Sequence, residues 1–413
     1  MPDVVIIGAG QAGLAASVCL SRLGIDHVVL EKHEIGASWR RQRWDSFCLV
    51  TPNWTVRLPG QEYGGPDPDG FMSGGEFIEI LERYADRFNV PVQCGTEVTN
   101  ATPLENGWQL ATNTGVIETR AVIVATSTYQ APSLPAFASN VDSGIVSMSA
   151  ADYRSADNLP PGGVLVVGSA QSGGQIVEDL LIDGRNVVLS VSRAGRVPRR
   201  YRGRDAIEWQ DLLGFLDRPA SALENGRQRF GGEPHMTGRD GGHTVSLQNF
   251  HAQGVTLVGR IKNAEGSILK LDKDLHSNMV AADRFATNFC HDIDAYIQRT
   301  GLSAPRVENE INHAPLSAQD GFDEPDRLNL SAAGITSIVW ATGFKFDFSW
   351  IAGAPLDEFG YPVTARGETT ARGLYFLGLN FLQSRKSGII YGVGDDALHV
   401  AERIHRYLKI AGS

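Results

Sequence analysis

Three glycines near the start of the chain have the types and spacing of a dinucleotide-binding turn. Gly8, Gly10 and Gly13 form the pattern G-x-G-x-x-G directly after the apolar run Val4–Ile7. In such a turn the first glycine allows a tight bend, the second lets the backbone approach a pyrophosphate, and the third seats a helix on a strand. The N–H groups and dipole at the start of that helix attract phosphates. Because plain glycine turns share this pattern, the neighbouring elements decide between the two readings.

Those elements are the ones that the chemistry requires. Residues 4–7 and 28–30 predict buried strands, and residues 14–23 between them predict a helix. The second strand ends on Glu31, 18 residues after Gly13. A carboxylate there can accept hydrogen bonds from ribose hydroxyls and would repel a 2′-phosphate. The predicted contacts of this first site are Gly8, Gly10, Gln11, Ala12, Gly13, Glu31 and Lys32.

A second unit of the same kind begins 160 residues later. Residues 164–167 predict its strand, residues 168–173 its turn (G-S-A-Q-S-G) and residues 175–182 its helix. Ala170 takes the place of the second glycine, so its methyl group narrows the approach of a pyrophosphate. Two such units in one chain are much stronger support for dinucleotide binding than one. The predicted contacts of this second site are Gly168, Ser169, Gln171, Ser172 and Gly173.

The second unit leads into a cluster of arginines. Its second strand, predicted at 187–191, ends on Ser192-Arg193 instead of an acid. Guanidinium groups bind phosphates with paired hydrogen bonds, and an adenosine 2′-phosphate would lie at the end of this strand. The sequence therefore predicts NADP, with a solvated basic loop or a surface for a partner as the alternative. The six arginines are Arg193, Arg196, Arg199, Arg200, Arg202 and Arg204, and the predicted contacts are Ser192, Arg193, Arg199 and Arg200.

Composition narrows the class of protein. A chain of 413 residues with 42% hydrophobic and 20% charged residues has room for two ordinary globular domains. The net charge of −10 argues against a nucleic-acid or membrane-surface binder, and no apolar run reaches the length of a membrane span. With a strand predicted from residue 4 there is no room for a signal peptide. Four cysteines without a C-x-x-C pair fit the cytoplasm, and scattered histidines predict no metal.

The segment from Gly36 to Trp54 follows the first unit directly. It contains three tryptophans, three arginines and a T-P-N-W turn, without the alternation of a strand or the period of a helix. Rigid aromatic rings beside basic groups suit the wall of a site for a flat, anionic aromatic ligand. An amphipathic surface loop is the alternative.

Joined to the G-A-G-Q-A-G turn, this segment resembles the flavin-containing monooxygenase-like flavoproteins (class B flavoprotein monooxygenases). Baeyer–Villiger and N-hydroxylating monooxygenases are more distant relatives. The resemblance covers nearly the whole chain and implies FAD at the first site and NADPH at the second. It implies an α/β fold with two Rossmann-like domains: a discontinuous FAD-binding domain at 1–150 and 325–413, and an inserted NADPH-binding domain at 160–320.

Further positions follow from the resemblance. The strand at 121–126 ends in A-T-S where the family has A-T-G, and the similar strand at 337–344 regains the glycine. Residues 139–162 predict a linker, in which Ser149 replaces the family's histidine and Tyr153 is kept. The strand at 373–379 and the turn after it would lie on FAD, with Arg385 and Lys386 stabilising the reduced flavin anion. The remaining implied contacts are Ser38, Trp39, Arg40, Trp44, Thr126, Thr342, Gly343, Gly378, Ser387 and Gly388.

The resemblance also implies an activity. Flavin reduced by NADPH would react with molecular oxygen to form a C4a-hydroperoxide, which oxygenates a nitrogen, sulfur or carbonyl carbon of a small-molecule substrate. Asn53 would be the catalytic residue, lying at the flavin edge where oxygen reacts; the alternative is an Asx-type turn. An NADPH-dependent flavin oxidoreductase without oxygen insertion and a flavin-binding regulator without turnover are the other two functions that remain open.

Two segments remain. Residues 274–299 predict a helix of about 25 residues with one apolar face, which serves core packing or, as the alternative, the seam of a homodimer. The glycine-rich residues 205–250 could form a lid.

Overall fold

Two parallel sheets organise the computed structural model, which describes residues 1–307 and 322–411. The predicted end of the second domain at residue 320 lies outside the described residues. The helices are α1 (Gln11–Arg22), α2 (Ala37–Arg41), α3 (Gly74–Arg87), α4 (Gln171–Ile182), α5 (Ala206–Leu212), α6 (Leu247–Ala252), α7 (Leu275–Thr300) and α8 (Ile390–Ala411). The strands are β1 (Val4–Ile7), β2 (His27–Glu31), β3 (Arg57–Leu58), β4 (Gln61–Glu62), β5 (Val92–Cys94), β6 (Val98–Leu104), β7 (Gly107–Thr112), β8 (Gly115–Thr119), β9 (Ala121–Val124), β10 (Ala131–Pro132), β11 (Val146–Ser149), β12 (Gly163–Val167), β13 (Val187–Ser190), β14 (Arg200–Tyr201), β15 (Arg204–Asp205), β16 (Thr256–Val258), β17 (Ile261–Glu265), β18 (Ile268–Leu271), β19 (Arg327–Asn329), β20 (Ile335–Trp340), β21 (Phe344–Lys345) and β22 (Leu374–Phe376).

The first sheet has the strand order β22-β9-β1-β2-β5 and is parallel throughout. Three of its five strands, β22, β9 and β1, are buried at every residue, as expected for a parallel sheet covered on both faces. The first glycine turn follows β1 at the carboxyl edge of this sheet, where α/β folds bind their ligands.

The second sheet repeats this design with the order β11-β20-β12-β13-β16, again parallel. Two of its strands were predicted elsewhere: β11 in the linker at 139–162, and β20 in the FAD-binding domain. The sequence could not assign β20 because a strand that is apolar on both faces fits the centre of either sheet. The sequence of β11, V-S-M-S, carries too little apolar signal to predict an edge strand.

The chain crosses between the sheets twice, and the two crossing segments pair with each other. β10 lies in the segment leaving the first sheet, β21 lies in the returning segment, and the two form an antiparallel ribbon. Pro132 is opposite Phe344 in this ribbon.

The other predicted elements are present with small shifts. Ser73 forms a capping box with Glu76 at the start of α3, and β6, β7 and β8 form the predicted antiparallel excursion. The α7 helix buries its apolar face in the core, which confirms the packing role, while a homodimer stays a prediction. In the described residues, no helix combines the length and apolar character needed to cross a membrane.

Candidate functional site

The glycine turns of both units open into one cavity of about 1080 Å³. This volume is at the upper end of the range for sites that hold small molecules, roughly 300–1,000 Å³. The predicted residues that line it are Gly8, Gly10, Gln11, Ala12, Glu31, Lys32, Ser38, Trp39, Trp44, Thr126, Gly168, Gln171, Ser172, Ser192, Arg193, Thr342, Gly343, Gly378 and Gly388. The structure therefore brings segments from both ends of the chain to one place.

The three glycines of the first turn have different surroundings. Gly8 has φ +107°, and a Cβ on it would lie 2.7 Å from the Ala125 carbonyl oxygen. A Cβ on Gly13 would lie 1.8 Å from the Gly8 carbonyl oxygen, so this glycine lies at the helix–strand contact and not in the cavity wall. A Cβ on Gly10 would meet no atom within 4 Å. The fold requires glycine at 8 and 13, whereas Gly10 leaves open space for a ligand.

The start of α1 is ready to receive an anion. Gly10 is its N-cap, no side chain caps it, and its first turn has no acidic residue. The N–H groups of this turn have no intrahelical acceptor and are left for phosphate oxygens. Glu31 accepts hydrogen bonds from Ala9 N (2.8 Å) and His33 N (2.9 Å), which fix its carboxylate at the cavity wall. The carboxylate oxygens keep lone pairs for ribose hydroxyls, so the residues fit an adenine dinucleotide.

The second turn repeats this geometry with one difference. Gly168 has φ +102°, and a Cβ on Gly173 would again lie 1.8 Å from the carbonyl oxygen of the first glycine. The α4 helix also begins without a side-chain cap or a first-turn acid. Ala170 adds a methyl group to the cavity wall, and a Cβ on Gly232 opposite would lie 3.4 Å from it. The phosphate approach is narrower here than at Gly10, but it is not closed.

The end of β13 presents Ser192 and Arg193 to the cavity. Among the described residues no carboxylate lies within 4 Å of the Arg193 guanidinium, and no acid occupies the place that Glu31 has in the first unit. These two residues fit a 2′-phosphate.

Arg199 and Arg200 are not among the residues that line the cavity, and their role as phosphate contacts stays a prediction. Arg199 is buried, with 2% of its surface exposed, and donates two hydrogen bonds of 2.8 Å to the Asp205 carboxylate. A third hydrogen bond of 2.8 Å goes to the Val50 carbonyl oxygen. Arg200 donates to the carbonyl oxygens of Gly242 and Gly241. Their N–H groups already have protein acceptors.

The rest of the cluster is paired in the same way. The Arg196 Nε donates to Asp283 at 2.6 Å, Arg202 lies 3.1 Å from Asp294, and Arg204 pairs with Glu208. Most of the cluster therefore holds the second unit together.

Asn53 is also not among the residues that line the cavity, and its position at the reaction site stays a prediction. Its side chain is buried, donates to the Asp67 carbonyl oxygen (2.9 Å) and accepts from Met72 N (2.9 Å). The carboxamide therefore ties the T-P-N-W turn to the loop at 60–75. The alternative, an Asx-type turn, also has the side chain bonded to backbone. Here, however, that backbone belongs to the loop at 60–75 and not to the turn itself.

Five other predicted contacts also lie outside the cavity wall, and these are Gly13, Arg40, Ser169, Gly173 and Ser387. Arg40 is paired with Glu82 at 2.8 Å on the surface, and its contact with the cofactor stays a prediction. Ser169 exchanges hydrogen bonds with the Ser192 backbone, and Ser387 accepts from the backbone N–H groups of 383 and 384. These two serines stabilise the backbone of the second glycine turn and of the turn at 383–388 through hydrogen bonds that do not face the cavity.

The basic pair after β22 is also occupied. Arg385 pairs with Glu233, and Lys386 lies 2.7 Å from Asp217, both on the segment 216–233 of the second unit. This segment also has an isolated strand bridge, Pro219 to Ser384. The expectation that the two basic side chains stabilise a flavin anion is therefore replaced by a role in joining the two units.

Sequence reasoning missed the aromatic end of the cavity. Phe344, Phe346 and Trp350 follow β20, and the Phe230 ring lies 5.4 Å from the Phe346 ring. The alternation F-K-F-D-F after A-T-G was the available signal. Gln130 was also missed: its amide joins Ser127, which has φ +61°, to Asp347 N.

The aromatic side chains of the Gly36–Trp54 segment pack inward, whereas Ser38, Arg40 and Arg41 are exposed. Trp39 donates its indole N–H to Gln11 Oε1 (3.1 Å), and Trp44 is buried edge-on against Phe47 (5.2 Å between centroids). Trp39 therefore connects this segment to the first residue of α1.

Metal and thiol chemistry have no visible site here. Within 1–307 and 322–411 no group of three His, Cys, Asp or Glu could hold a metal ion. None of the four cysteines is among the described residues that line the cavity. Burial raises the pKa of Cys19 and of Cys290 to about 11, which disfavours the reactive thiolate.

Comparison with known proteins agrees with this architecture. A family model described as pyridine nucleotide-disulphide oxidoreductase matches residues 5–203. An uncharacterized oxidoreductase CzcO-like from Geobacillus kaustophilus is 31% identical over 407 residues, covering 97% of this chain and 98% of that protein. The probable indole-3-pyruvate monooxygenase YUCCA10 of Arabidopsis thaliana is 33% identical over 213 residues, 49% of this chain and 54% of that protein.

The fold comparison confirms the predicted two-dinucleotide-binding flavoprotein architecture. A solved flavin-containing monooxygenase from Stenotrophomonas maltophilia superposes with a TM-score of 0.65 at 18% identity, over 98% of this chain and 99% of that one. The predicted resemblance to the class B flavoprotein monooxygenases is confirmed by this fold together with the match to the plant monooxygenase. The chain belongs to the family of the CzcO-like oxidoreductases, and its fold is that of the flavin-containing monooxygenases.

Proposed function

We propose that the protein is an FAD-dependent monooxygenase that uses NADPH and molecular oxygen to oxygenate a small molecule at nitrogen, sulfur or a carbonyl carbon. The single observation that carries this proposal is the common cavity of the two glycine turns. Two dinucleotides bound at these turns would extend toward each other, as transfer of a hydride between them requires.

FAD is assigned to the first turn. Gly10 leaves room for the pyrophosphate, the N–H groups at the start of α1 bind it, and Glu31 takes the ribose hydroxyls. Gly378 and Gly388 line the cavity from the C-terminal part of the chain and would border the rest of the cofactor. When bound, the flavin supplies the redox chemistry that no side chain in this cavity offers.

NADPH is assigned to the second turn. Val191 takes the register position at which the first unit has Glu31, and Ser192 and Arg193 follow it into the cavity wall. A 2′-phosphate therefore meets a cation here and a carboxylate there. The two sites therefore differ in the charge that they favour, which keeps the cofactors apart.

The aromatic end of the cavity is assigned to the substrate. Phe230, Phe344, Phe346 and Trp350 offer an apolar wall without a titratable group, which suits a small organic molecule and limits water. The oxygenating activity is supported by the 33% identity to a plant monooxygenase over half of the chain.

Rapid mixing tests the proposal. The purified protein should be yellow, and anaerobic NADPH should bleach the flavin absorbance. Mixing with oxygen and a panel of amines, thioethers and ketones should then give an oxygenated product for each NADPH consumed. Bleaching followed by hydrogen peroxide alone, across the whole panel, would contradict oxygen insertion.

A second candidate is an NADPH-dependent flavin oxidoreductase without oxygen insertion. The position of Asn53 favours it, because this carboxamide is bonded to the 67–72 backbone and is not presented to the cavity. Stoichiometric peroxide with every substrate is the outcome that this candidate predicts.

A further inference from the structure

Arg43 is a cation in the cavity wall that has no acidic partner within residues 1–307 and 322–411. It is half-buried, lines the cavity, and donates a hydrogen bond to the neighbouring Gln42 carbonyl oxygen (2.9 Å). Its guanidinium carbon lies 5.3 Å from the Trp39 ring centroid and 5.4 Å from that of Phe47. Among the described residues no carboxylate lies within 4 Å. Burial lowers the pKa of this guanidinium, yet an arginine stays protonated near neutral pH.

Three other cations of the cavity wall are neutralised. Lys32 pairs with Glu97 at 2.6 Å, Arg41 with Glu34 at 2.7 Å and Arg260 with Asp274 at 2.5 Å. Arg193 is the other cavity arginine without a carboxylate in the described residues, and the 2′-phosphate accounts for it. Arg43 is left with an uncompensated charge, and keeping a charge away from bulk water without a partner costs free energy.

The position of Arg43 is fixed by the surrounding structure. The guanidinium of Arg154 donates to the carbonyl oxygens of Arg43 (3.1 Å) and Arg41, and Asp45 N donates to the Arg154 carbonyl oxygen (2.9 Å). The Trp39 and Phe47 rings, whose centroids are 6.1 Å apart, lie together on one side of the guanidinium and support it. A guanidinium held in this way needs little ordering when an oxyanion arrives.

We propose that Arg43 is an oxyanion-binding residue of the cavity, receiving a phosphate or carboxylate group of a bound ligand. Trp39 connects it to Gln11 at the start of α1, which makes the FAD pyrophosphate one source of the oxyanion. The carboxylate of an aromatic or apolar substrate is the other source, since the two flanking rings would accept such a body beside the charge. The inference deepens the proposed function and rests on it for the identity of the ligand.

The test compares Arg43→Met, Arg43→Lys and the control Arg41→Met. The control removes a guanidinium two residues away whose Nε and Nη2 are already bonded to Glu34. Thermal unfolding and circular dichroism first establish that each variant is folded. The first arm follows the rate of FAD release from the holoprotein by flavin fluorescence. The second arm titrates phenylacetate and its uncharged analogue phenylacetamide by calorimetry and by the flavin absorbance spectrum.

If the pyrophosphate is the source, Arg43→Met should raise the rate of FAD release by about 10- to 150-fold, which corresponds to the loss of a charge-assisted hydrogen bond. If a carboxylate is the source, FAD release should be unchanged, and phenylacetate binding should fall by a similar factor while phenylacetamide binding stays the same. In the affected arm, the value for Arg43→Lys should lie between those for wild type and Arg43→Met, because lysine keeps the positive charge but cannot form the paired hydrogen bonds of a guanidinium.

A folded Arg43→Met protein that matches Arg41→Met in both arms would overturn the inference. Failure of oxygen insertion leaves flavin in the wild-type protein, so both arms can still be measured. Failure of the FAD assignment looks different, because the wild-type protein would then carry no flavin. In that case calorimetry with inorganic pyrophosphate on the same variants still tests Arg43, and binding that is equal in wild type and Arg43→Met would overturn it.

Discussion

At the scale of single residues, neighbouring positions of one turn serve different ends. Gly13 is required by the polypeptide, because the Gly8 carbonyl oxygen occupies the space of a side chain. Gly10 is required only by what binds, since its Cβ would point into empty space. Ala170 shows that the second turn folds with a methyl group at the position equivalent to Gly10.

This contrast separates a folding defect from a binding defect. Gly10→Val should fold and lose most of its FAD, because the larger side chain occupies the space of the pyrophosphate. Gly13→Ala should destabilise the protein by about 3 kcal/mol or more, since overpacking forces helix and strand apart. Thermal unfolding with flavin content measures both. Stoichiometric FAD in Gly10→Val would contradict the site.

The arginines separate in a similar way. Arg193→Ala should raise the apparent Michaelis constant for NADPH by roughly 10- to 150-fold and leave that for NADH little changed, because only the 2′-phosphate contact is lost. Arg199→Ala is the contrasting variant: it leaves Asp205 without its partner and should cost about 3–5 kcal/mol of stability. Steady-state kinetics with both nucleotides decides, and equal use of the two by the wild-type protein would refute the NADPH assignment.

Asn53 belongs with the structural group. Asn53→Ala should cost roughly 2 kcal/mol, because Met72 N loses a buried acceptor and the Asp67 carbonyl oxygen loses a donor. Chemical denaturation measures this loss. The ratio of peroxide to oxygenated product should stay as in wild type. A ratio shifted toward peroxide in a folded variant would instead indicate that Asn53 takes part in the oxygenation.

At the scale of elements, prediction from the sequence worked where the signal is local. Strand, glycine turn, helix and terminal acid lie within Val4 to Glu31, and the capping box of α3 spans four residues, so each could be read directly. In the arginine cluster, Arg196 and Arg202 pair with Asp283 and Asp294, about 90 residues away in the chain. Arg199 pairs with Asp205, which is only six residues away but meets it because β14 and β15 form a hairpin. Phosphate-binding and carboxylate-paired arginines look alike until the fold brings those acids close.

One link between elements depends on pH. His243 on the loop before α6 bonds Glu178 of α4 at 2.5 Å, and this hydrogen bond raises the pKa of His243 above its ordinary value. A raised folded-state pKa adds stability that is complete below the unfolded pKa, about 6.5, and is lost as pH rises through the folded pKa. The stability difference between wild type and His243→Gln should therefore be larger at pH 6 than at pH 8.5. If wild type and His243→Gln differ in unfolding free energy by the same amount at both pH values, the His243–Glu178 hydrogen bond does not make stability depend on pH.

At the scale of the whole molecule, the two units are joined by charge as well as by chain. The segment 216–233 of the second unit rests on the turn at 383–386 through Arg385–Glu233 and Lys386–Asp217. Arg229 of the same segment makes a third contact with the first unit, where it lies 3.3 Å from Asp357. Because Phe230 and Gly231 line the cavity, these ion pairs hold part of the substrate wall in place.

Breaking one pair should loosen that wall. Glu233→Gln should make residues 216–233 more sensitive to limited proteolysis at low ionic strength. At 1 M salt the Debye length is about 3 Å and the ion pair is largely screened, so the cleavage rates of wild type and variant should become equal. Mass spectrometry of the fragments locates the cuts, and identical cleavage at low salt would argue against the ion pair as the fastening. FAD and NADPH are omitted from the digestion so that ligand protection does not mask the effect.

The ribbon of β10 and β21 carries a consequence for engineering. Because Pro132 and Phe344 are opposite each other, the chain between them leaves and re-enters the first unit at one point. A segment with neighbouring ends can be transplanted between relatives at these two positions without stretching the acceptor, as domain insertions at closely spaced sites are. Such a graft should carry the nucleotide preference of its donor, provided that 216–233 and 383–386 come from the same parent.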